Sequence, residues 1–193
     1  MELSVTQSSK ASREKILNDV RAYAAALQGD TEFTPGVTPV PVSGKVLTPE
    51  DYVALVDASL DGWLTGGRFT TEFQRRLARF IGTRSALFVN SGSSANLVAL
   101  SALTSPKLGE RALRPGDEVV TVAMGFPTTI NPIIQNGLQP VLVDVNLGTY
   151  DADPAQLREA IGPKTRAIMM AHTLGNPFDL NLVQELCNKH DLW

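Results

Sequence analysis

A run of small residues able to bind an anion lies near the middle of the chain: Ser91, Gly92, Ser93 and Ser94. It follows a short apolar run, 85–89, which predicts a buried strand, and it precedes apolar residues at helical spacing over 97–103. The small residues are therefore predicted to begin a helix, where several backbone N–H groups lack acceptors and the helix dipole adds partial positive charge. Their short side chains leave those donors open. A phosphate would be stabilised there.

A second interpretation of the same run stays open, because Ser91 is also a favoured cap for any helix. Two other phosphate-binding patterns are excluded. The chain has no Gly-x-x-x-x-Gly-Lys-[Ser/Thr], which argues against a P-loop, and no Gly-x-Gly-x-x-Gly follows the strand, which argues against a dinucleotide site.

Three further residues stand where binding sites form. Phe126 follows a predicted strand and is interpreted either as a core residue or as an aromatic ring that stacks on a flat cofactor. His172 also follows a predicted strand, where it could bond a ligand or, as its position alone favours, satisfy loop carbonyls. Trp63 lies between glycines in the 62–67 loop. It either pins that loop through a buried indole or forms the wall of a binding site or a subunit contact.

Composition excludes several classes of protein. The chain has 193 residues, 43% of them hydrophobic, and a net charge of −3 without a basic stripe, which argues against nucleic-acid binding. No apolar run is long enough for a membrane helix, and no signal peptide is evident. Cys187, the single cysteine, is predicted to be core filler, so we expect no disulfide and no metal site in this chain. A cytoplasmic location is expected.

The predicted secondary structure that positions these residues is helical in the first part of the chain and alternates between strands and helices in the second. The spacing predicts three helices first, over 12–27, 48–61 and 70–81, with a proline-rich connector over 31–45. Their predicted buried residues include Val53, Leu55, Val56, Leu60, Phe73, Leu77 and Phe80.

From residue 85 onward, strands (85–89, 118–122, 140–145, 165–171 and a start at 192) alternate with helices (92–103, 126–136, 153–162 and 179–190). This alternation predicts an α/β fold with a mainly parallel sheet that carries helices on both faces and binds ligands at the carboxyl ends of its strands. We expect 1–47 to form an N-terminal helix and connector. Residues 48–193 would form part of an α/β domain that is incomplete at its C-terminus, because the final strand has only begun.

The chain from Thr48 onward resembles the DegT/StrS-type sugar aminotransferases, which are fold type I pyridoxal-phosphate enzymes. Ser91-Gly92-Ser93-Ser94-Ala95 stands where that family has Ser-Gly-Thr-Ala-Ala, which implies that Gly92, Ser93 and Ser94 hold the cofactor phosphate. Phe126 matches the aromatic residue that stacks on the pyridine ring. The 62–67 loop is similar to the family's substrate-side loop, which implies a substrate-side position for Trp63.

One branch of the family resembles this chain in three further segments, 104–114, 125–132 and 172–179. It contains the dehydrases that act on CDP-4-keto-6-deoxy-D-glucose in lipopolysaccharide biosynthesis. The resemblance implies that His172 and Asn176 face the substrate. It also implies a chemistry in which pyridoxamine phosphate condenses with the C4 ketone of a CDP-bound deoxysugar and the C3 hydroxyl leaves, followed by electron delivery from a [2Fe-2S] cluster and an iron–sulfur flavin reductase. A homodimer is implied as well.

The residues that perform this chemistry are expected beyond Trp193. They are the acid facing the pyridine nitrogen, a histidine in place of the aminotransferase lysine, and the cluster cysteines. No catalytic residue is therefore assigned here, and the chain alone is expected to be inactive. Two alternatives stay open: a nucleotide-sugar aminotransferase of the same fold, and a non-catalytic cofactor-binding or assembly module.

Overall fold

The fold was analysed in a computed structural model that describes residues 7–27, 33–40 and 44–193. The chain divides into two units, Met1–Phe88 and Val89–Trp193, and each is described by itself. Predictions for Gly29 and for residues 31–32 and 41–43 of the connector lie outside the described residues.

The unit Met1–Phe88 contains the helices α1 (Gln7–Leu27), α2 (Pro49–Leu60) and α3 (Arg68–Ile81). The start of α2 confirms its prediction. Thr48 is the N-cap and forms a capping box with Asp51, whose carboxylate accepts the Thr48 backbone N–H at 2.7 Å. Helix α3 ends at Gly82, whose φ of 78° is left-handed, as expected for a glycine at this position.

Four charged side chains join the three helices of this unit. Arg13 of α1 donates to Asp57 of α2 at 2.8 Å and to Asp61 at 2.6 Å. Arg68, the first residue of α3, donates to Asp61 at 2.8 Å and to Asp57. The Arg68 guanidinium, and then that of Arg13, hold the pKa of both carboxyl groups below their usual range. The pairs therefore fix both ends of the 62–67 loop.

Several predictions for this unit are wrong. Helix α1 begins at Gln7, five residues before the prediction, because Gln7–Ala11 contains neither proline nor glycine. Leu55, Leu60, Phe73 and Phe80 are exposed, with Phe80 at 90%, whereas Val53, Val56 and Leu77 are half-buried. Helical spacing identifies a common apolar face, but it does not specify what covers that face.

The predicted buried strand over 85–89 is not formed. The segment is extended, Leu87 and Phe88 are exposed, and none of the described strands pairs with it. The Phe88 backbone N–H instead donates to the Gln74 side-chain oxygen at 2.9 Å. An apolar run favours extended backbone, but a strand also needs a partner edge.

The unit Val89–Trp193 has the predicted alternation of strands and helices. The helices are α4 (Gly92–Leu103), α5 (Pro127–Gln135), α6 (Pro154–Glu159) and α7 (Leu180–His190), and the strands are β1 (Glu118–Val122), β2 (Gln139–Val143) and β3 (Thr165–Ile168). Short 3-10 turns occupy Pro106–Arg111 and Thr173–Gly175.

The strands form a parallel sheet in the order β2-β1-β3, so β1 is central. Val120 of β1 lies beside Val141 of β2 and Ile168 of β3. Successive side chains of a strand point to opposite faces, and Val119 and Val120 accordingly belong to two different core clusters. The cluster around Val119 includes Leu100 and Ile133, and that around Val120 includes Leu157, Leu182 and Leu186. Both faces of the sheet are therefore covered, as predicted.

The last residue continues the sheet beyond β3. The Trp193 N–H donates to Arg166 O at 3.0 Å, and Ile168 N–H donates to Trp193 O at 2.9 Å. The strand start predicted at residue 192 is thus confirmed by its pairing. Within 7–27, 33–40 and 44–193, no helix is long and apolar enough to cross a membrane, and no group of three or more potential metal ligands occurs.

We expect Asp57→Asn to lower the free energy of unfolding at pH 7 by about 1 kcal/mol, because it breaks pairs with two arginines that are partly shielded from water. Since the folded-state pKa of Asp57 is depressed, its stabilisation is present above pH 4 and is lost as the pH falls further. The difference between wild type and variant should therefore shrink between pH 5 and pH 2 in urea titrations. Asp19→Asn, on the exposed surface of α1, is the control, and an equal loss there would contradict the assignment.

Candidate cofactor site

The serine loop, Ser91–Ser94, forms the first turn of α4. Ser91 is the N-cap, and its Oγ accepts the Ser94 N–H at 3.1 Å. The Ser91 hydroxyl also lies 3.2 Å from the Ser94 hydroxyl. The capping interpretation of Ser91 is therefore correct, but one cap satisfies only one of the donors at a helix start.

Two donors of the serine loop remain available. The N–H groups of Gly92 and Ser93 have no protein acceptor among the described residues, and both residues are exposed. The first turn of α4 carries no acidic residue. Open N–H groups, serine hydroxyls and the positive end of the helix dipole together fit a phosphate group.

Phe126 lies at the mouth of a cavity at the carboxyl ends of β1 and β3. The cavity has a volume of about 410 Å³ and is lined by Val122, Met124, Gly125, Phe126, Thr129, Ala171, His172, Thr173 and Leu174. Phe126 is the residue before α5, and 69% of its surface is exposed. It is therefore not a core residue, and one face of its ring is available to a planar ligand.

His172 lines the same cavity. Its imidazole stacks on Phe178, with ring centroids 4.4 Å apart and an interplanar angle of 24°. The imidazole nitrogens make no hydrogen bond to any residue that the structure describes, so the ring does not satisfy a loop carbonyl, whereas the backbone carbonyl of His172 accepts the Gly175 N–H at 3.1 Å. The stack fixes the plane of the imidazole and leaves both ring nitrogens available.

Asn96 connects the serine loop to the cavity. Its side-chain amide donates to the carbonyl oxygen of Thr128 at 3.2 Å, which joins the start of α4 to the start of α5. Sequence reasoning assigned Asn96 no role. The available signal is a polar residue two positions after the serine loop, next to the apolar residues Leu97 and Leu100 of the same helix.

Two other predicted site residues are held by local contacts. The Asn176 side chain donates to the carbonyl oxygen of Thr149 at 2.9 Å and does not line the cavity. Trp63 belongs to the unit Met1–Phe88, where its indole N–H donates to Gly66 O at 3.0 Å. The indole is 65% exposed, so it orders its loop through a hydrogen bond and not through burial. The substrate-side roles of both residues stay predictions.

Comparison with known proteins identifies relatives of the chain. Residues 47–193 match the model of the DegT/DnrJ/EryC1/StrS aminotransferase family. The chain is 54% identical over 181 residues to the lipopolysaccharide biosynthesis protein RfbH of Salmonella typhimurium, covering 94% of this chain and 41% of that protein. It is also 54% identical over 181 residues to dTDP-4-dehydro-2,6-dideoxy-D-glucose 3-dehydratase of Saccharopolyspora spinosa, covering 94% and 39%. The chain thus spans about two-fifths of the length of these relatives.

A solved structure shows the same fold. It is GDP-4-keto-6-deoxy-D-mannose-3-dehydratase of E. coli with bound hydrated PLP, which superposes with a TM-score of 0.72 at 30% identity over 79% of this chain and 39% of that one. The predicted fold type I architecture is confirmed.

Replacing the stacked ring should change the surroundings of His172. We expect Phe178→Leu to move the imidazole proton resonances of His172 downfield, because protons above an aromatic face are shielded. His190, the second of the two histidines, is an internal control in the same NMR spectrum and should not move. Unchanged His172 resonances would contradict the stacked geometry.

Proposed function

Because the chain belongs to the DegT/DnrJ/EryC1/StrS aminotransferase family, we propose that it is the N-terminal part of a nucleotide-sugar 3-dehydrase dependent on pyridoxamine or pyridoxal phosphate. The proposed substrate is CDP-4-keto-6-deoxy-D-glucose, in deoxysugar biosynthesis for lipopolysaccharide. The observation that carries the proposal is the serine loop, whose open donors are joined through Asn96 to the cavity between Phe126 and His172. Relatives named as lipopolysaccharide and 3-dehydratase proteins support it.

In this proposal the serine loop holds the cofactor phosphate. The N–H groups of Gly92 and Ser93 and the hydroxyls of Ser93 and Ser94 would bond its oxygens, and the dipole of α4 would stabilise its charge. Ser91 contributes by holding the first turn in shape. The donors exist before any ligand arrives, so binding requires little reorganisation of the protein.

Phe126 and His172 orient the planar part of the ligand. The exposed face of Phe126 would stack on the pyridine ring and exclude water from that side. His172, with its plane set by Phe178, would offer a ring nitrogen to a polar atom of the cofactor or the substrate. When bound, the cofactor would supply an electron sink, while the protein supplies placement and charge.

The reaction needs groups that this chain does not provide. In the proposed full-length protein, an acid facing the pyridine nitrogen, a catalytic histidine and the cysteines of a [2Fe-2S] cluster follow Trp193. An iron–sulfur flavin reductase, a homodimer and a cytoplasmic location belong to the same proposal. Cys187 is not assigned to the cluster in this proposal. It is half-buried in α7, and burial raises the pKa of its thiol, which disfavours the thiolate that a metal needs.

Two alternative functions differ in what they require. A nucleotide-sugar aminotransferase would have a lysine at the position of the proposed histidine, and the amino-acid sequence of the full-length gene product distinguishes the two. A non-catalytic cofactor-binding or assembly module needs neither residue and would bind the cofactor without turnover.

A negative charge in the serine loop should weaken cofactor binding without destabilising the fold. We expect Ser93→Asp to weaken pyridoxamine phosphate binding at least tenfold, about 1.4 kcal/mol, because a carboxylate repels the phosphate. The same carboxylate should stabilise α4 by about 0.5 kcal/mol through the helix dipole. Equilibrium dialysis measures the affinity, and urea titration measures the stability.

The matched control is Ser8→Asp, which changes an exposed serine of α1 in the other unit. It adds the same charge and should leave the affinity within twofold of wild type. Unchanged affinity in Ser93→Asp would show that the phosphate assignment is wrong.

The activity itself is tested with two proteins. We expect the full-length gene product, loaded with pyridoxamine phosphate and supplied with a reductase, to remove the C3 hydroxyl of CDP-4-keto-6-deoxy-D-glucose. The 193-residue chain should show no turnover, because it lacks the proton-transfer groups. Product analysis by mass spectrometry distinguishes the loss of a hydroxyl from the gain of an amine, and turnover by the short chain would contradict the assignment of the catalytic groups.

A further inference from the structure

A groove lined by three arginines lies in the unit Met1–Phe88, between the second half of α3 and the segment that follows it. Its volume is about 380 Å³, and Arg75, Arg79 and Arg84 contribute to its walls together with Gln74 and Ser85. None of the described aspartates or glutamates lines it. We call it the arginine groove.

The positive charge of the arginine groove is only partly neutralised by the protein. Arg75 is paired with Glu72, through bonds of 2.9 and 2.6 Å, and these hydrogen bonds and those from Arg76 lower the pKa of Glu72 to about 2. In contrast, Arg79 and Arg84 have no carboxylate within ion-pair distance in the described part of the chain. A cation at a helix C-terminus is ordinary, which accounts for Arg79 in the last turn of α3. It does not account for Arg84, which lies beyond the end of the helix.

The neutral groups of the arginine groove are also donors. The Gln74 side-chain oxygen accepts the Phe88 N–H at 2.9 Å, which fixes the carboxamide and leaves its NH2 group without an acceptor in the described residues. The Thr83 hydroxyl donates to the Ser85 carbonyl oxygen at 3.2 Å and holds the turn that carries Arg84 and Ser85. Guanidinium, amide and hydroxyl donors around one groove match the oxygens of a phosphate group.

We propose that the arginine groove binds a diphosphate group. Two guanidiniums with no carboxylate within ion-pair distance among the described residues match an anion with two linked phosphates better than a single monovalent ion, and Gln74 and Ser85 would bond the remaining oxygens. The group could come from free pyrophosphate or from a nucleoside diphosphate. The proposal does not depend on the proposed function, since every residue it uses belongs to Met1–Phe88.

Calorimetric titration of the 193-residue chain with sodium pyrophosphate tests the proposal. We expect saturable binding that weakens at least tenfold in Arg79→Gln/Arg84→Gln. The matched control is Arg76→Gln/Arg158→Gln, which removes two exposed arginine charges from outside the groove and should stay within twofold of wild type. Arg79→Lys/Arg84→Lys should weaken binding less than the glutamine variant, because it keeps the charge and loses only the forked geometry.

Two further measurements identify the source of the diphosphate group and distinguish the arginine groove from the serine loop. Tighter binding of CDP than of pyrophosphate would identify a nucleoside diphosphate, whereas equal affinities would identify the diphosphate group alone as the ligand. Ser93→Asp should leave this binding intact, so the arginine groove and the serine loop can fail separately. Each variant is first shown to unfold at the wild-type urea midpoint. Unchanged affinity in the glutamine variant, an equal loss in the control, or no saturable pyrophosphate binding would overturn the proposal.

Discussion

The central strand β1 is the constraint on which the unit Val89–Trp193 depends. It bonds to β2 on one edge and to β3 on the other, and its Val119 and Val120 are completely buried on opposite faces. A strand in this position must be apolar on both sides, so chemistry is displaced to its carboxyl end. The segments that carry Phe126 and His172 both begin there, after β1 and β3.

At the same edge of the sheet, the N-termini of two helices lie close together, and each carries the partial positive charge of its helix dipole. Helices α4 and α5 begin close together, joined by the hydrogen bond from Asn96 to Thr128 O, and neither first turn contains an acidic residue. Acidic residues are the usual means of offsetting the dipole at a helix start, as Glu50 and Asp51 do in α2. Without them, no carboxylate in the first turn of either helix competes with the anion that the proposed phosphate site would bind.

A feature can be predicted from the sequence when the interaction that determines it joins residues that are close together in the chain. The capping box of Thr48 and Asp51 is decided within four residues, so sequence patterns identify it. The alternation after residue 90 is similarly local. In contrast, the exposure of Phe80 and the missing pairing of 85–89 depend on what lies against those residues. The role of Asn96 is not predicted for the same reason, because its hydrogen bond joins residues that are 32 positions apart. The Phe178 ring stacks on a near neighbour in sequence, but that contact depends on the irregular backbone of the intervening Thr173–Gly175 turn.

The extended segment 85–89 determines how the isolated chain should behave in concentrated solution. It is a short apolar run, Leu87 is 79% exposed, and most of its backbone donors and acceptors have no partner among the described residues. Unpaired edges of this kind recruit strands from other molecules. The modest net charge of −3 provides little electrostatic repulsion to oppose such association. A polar substitution at Leu87 would be a rational first step towards keeping the protein dispersed.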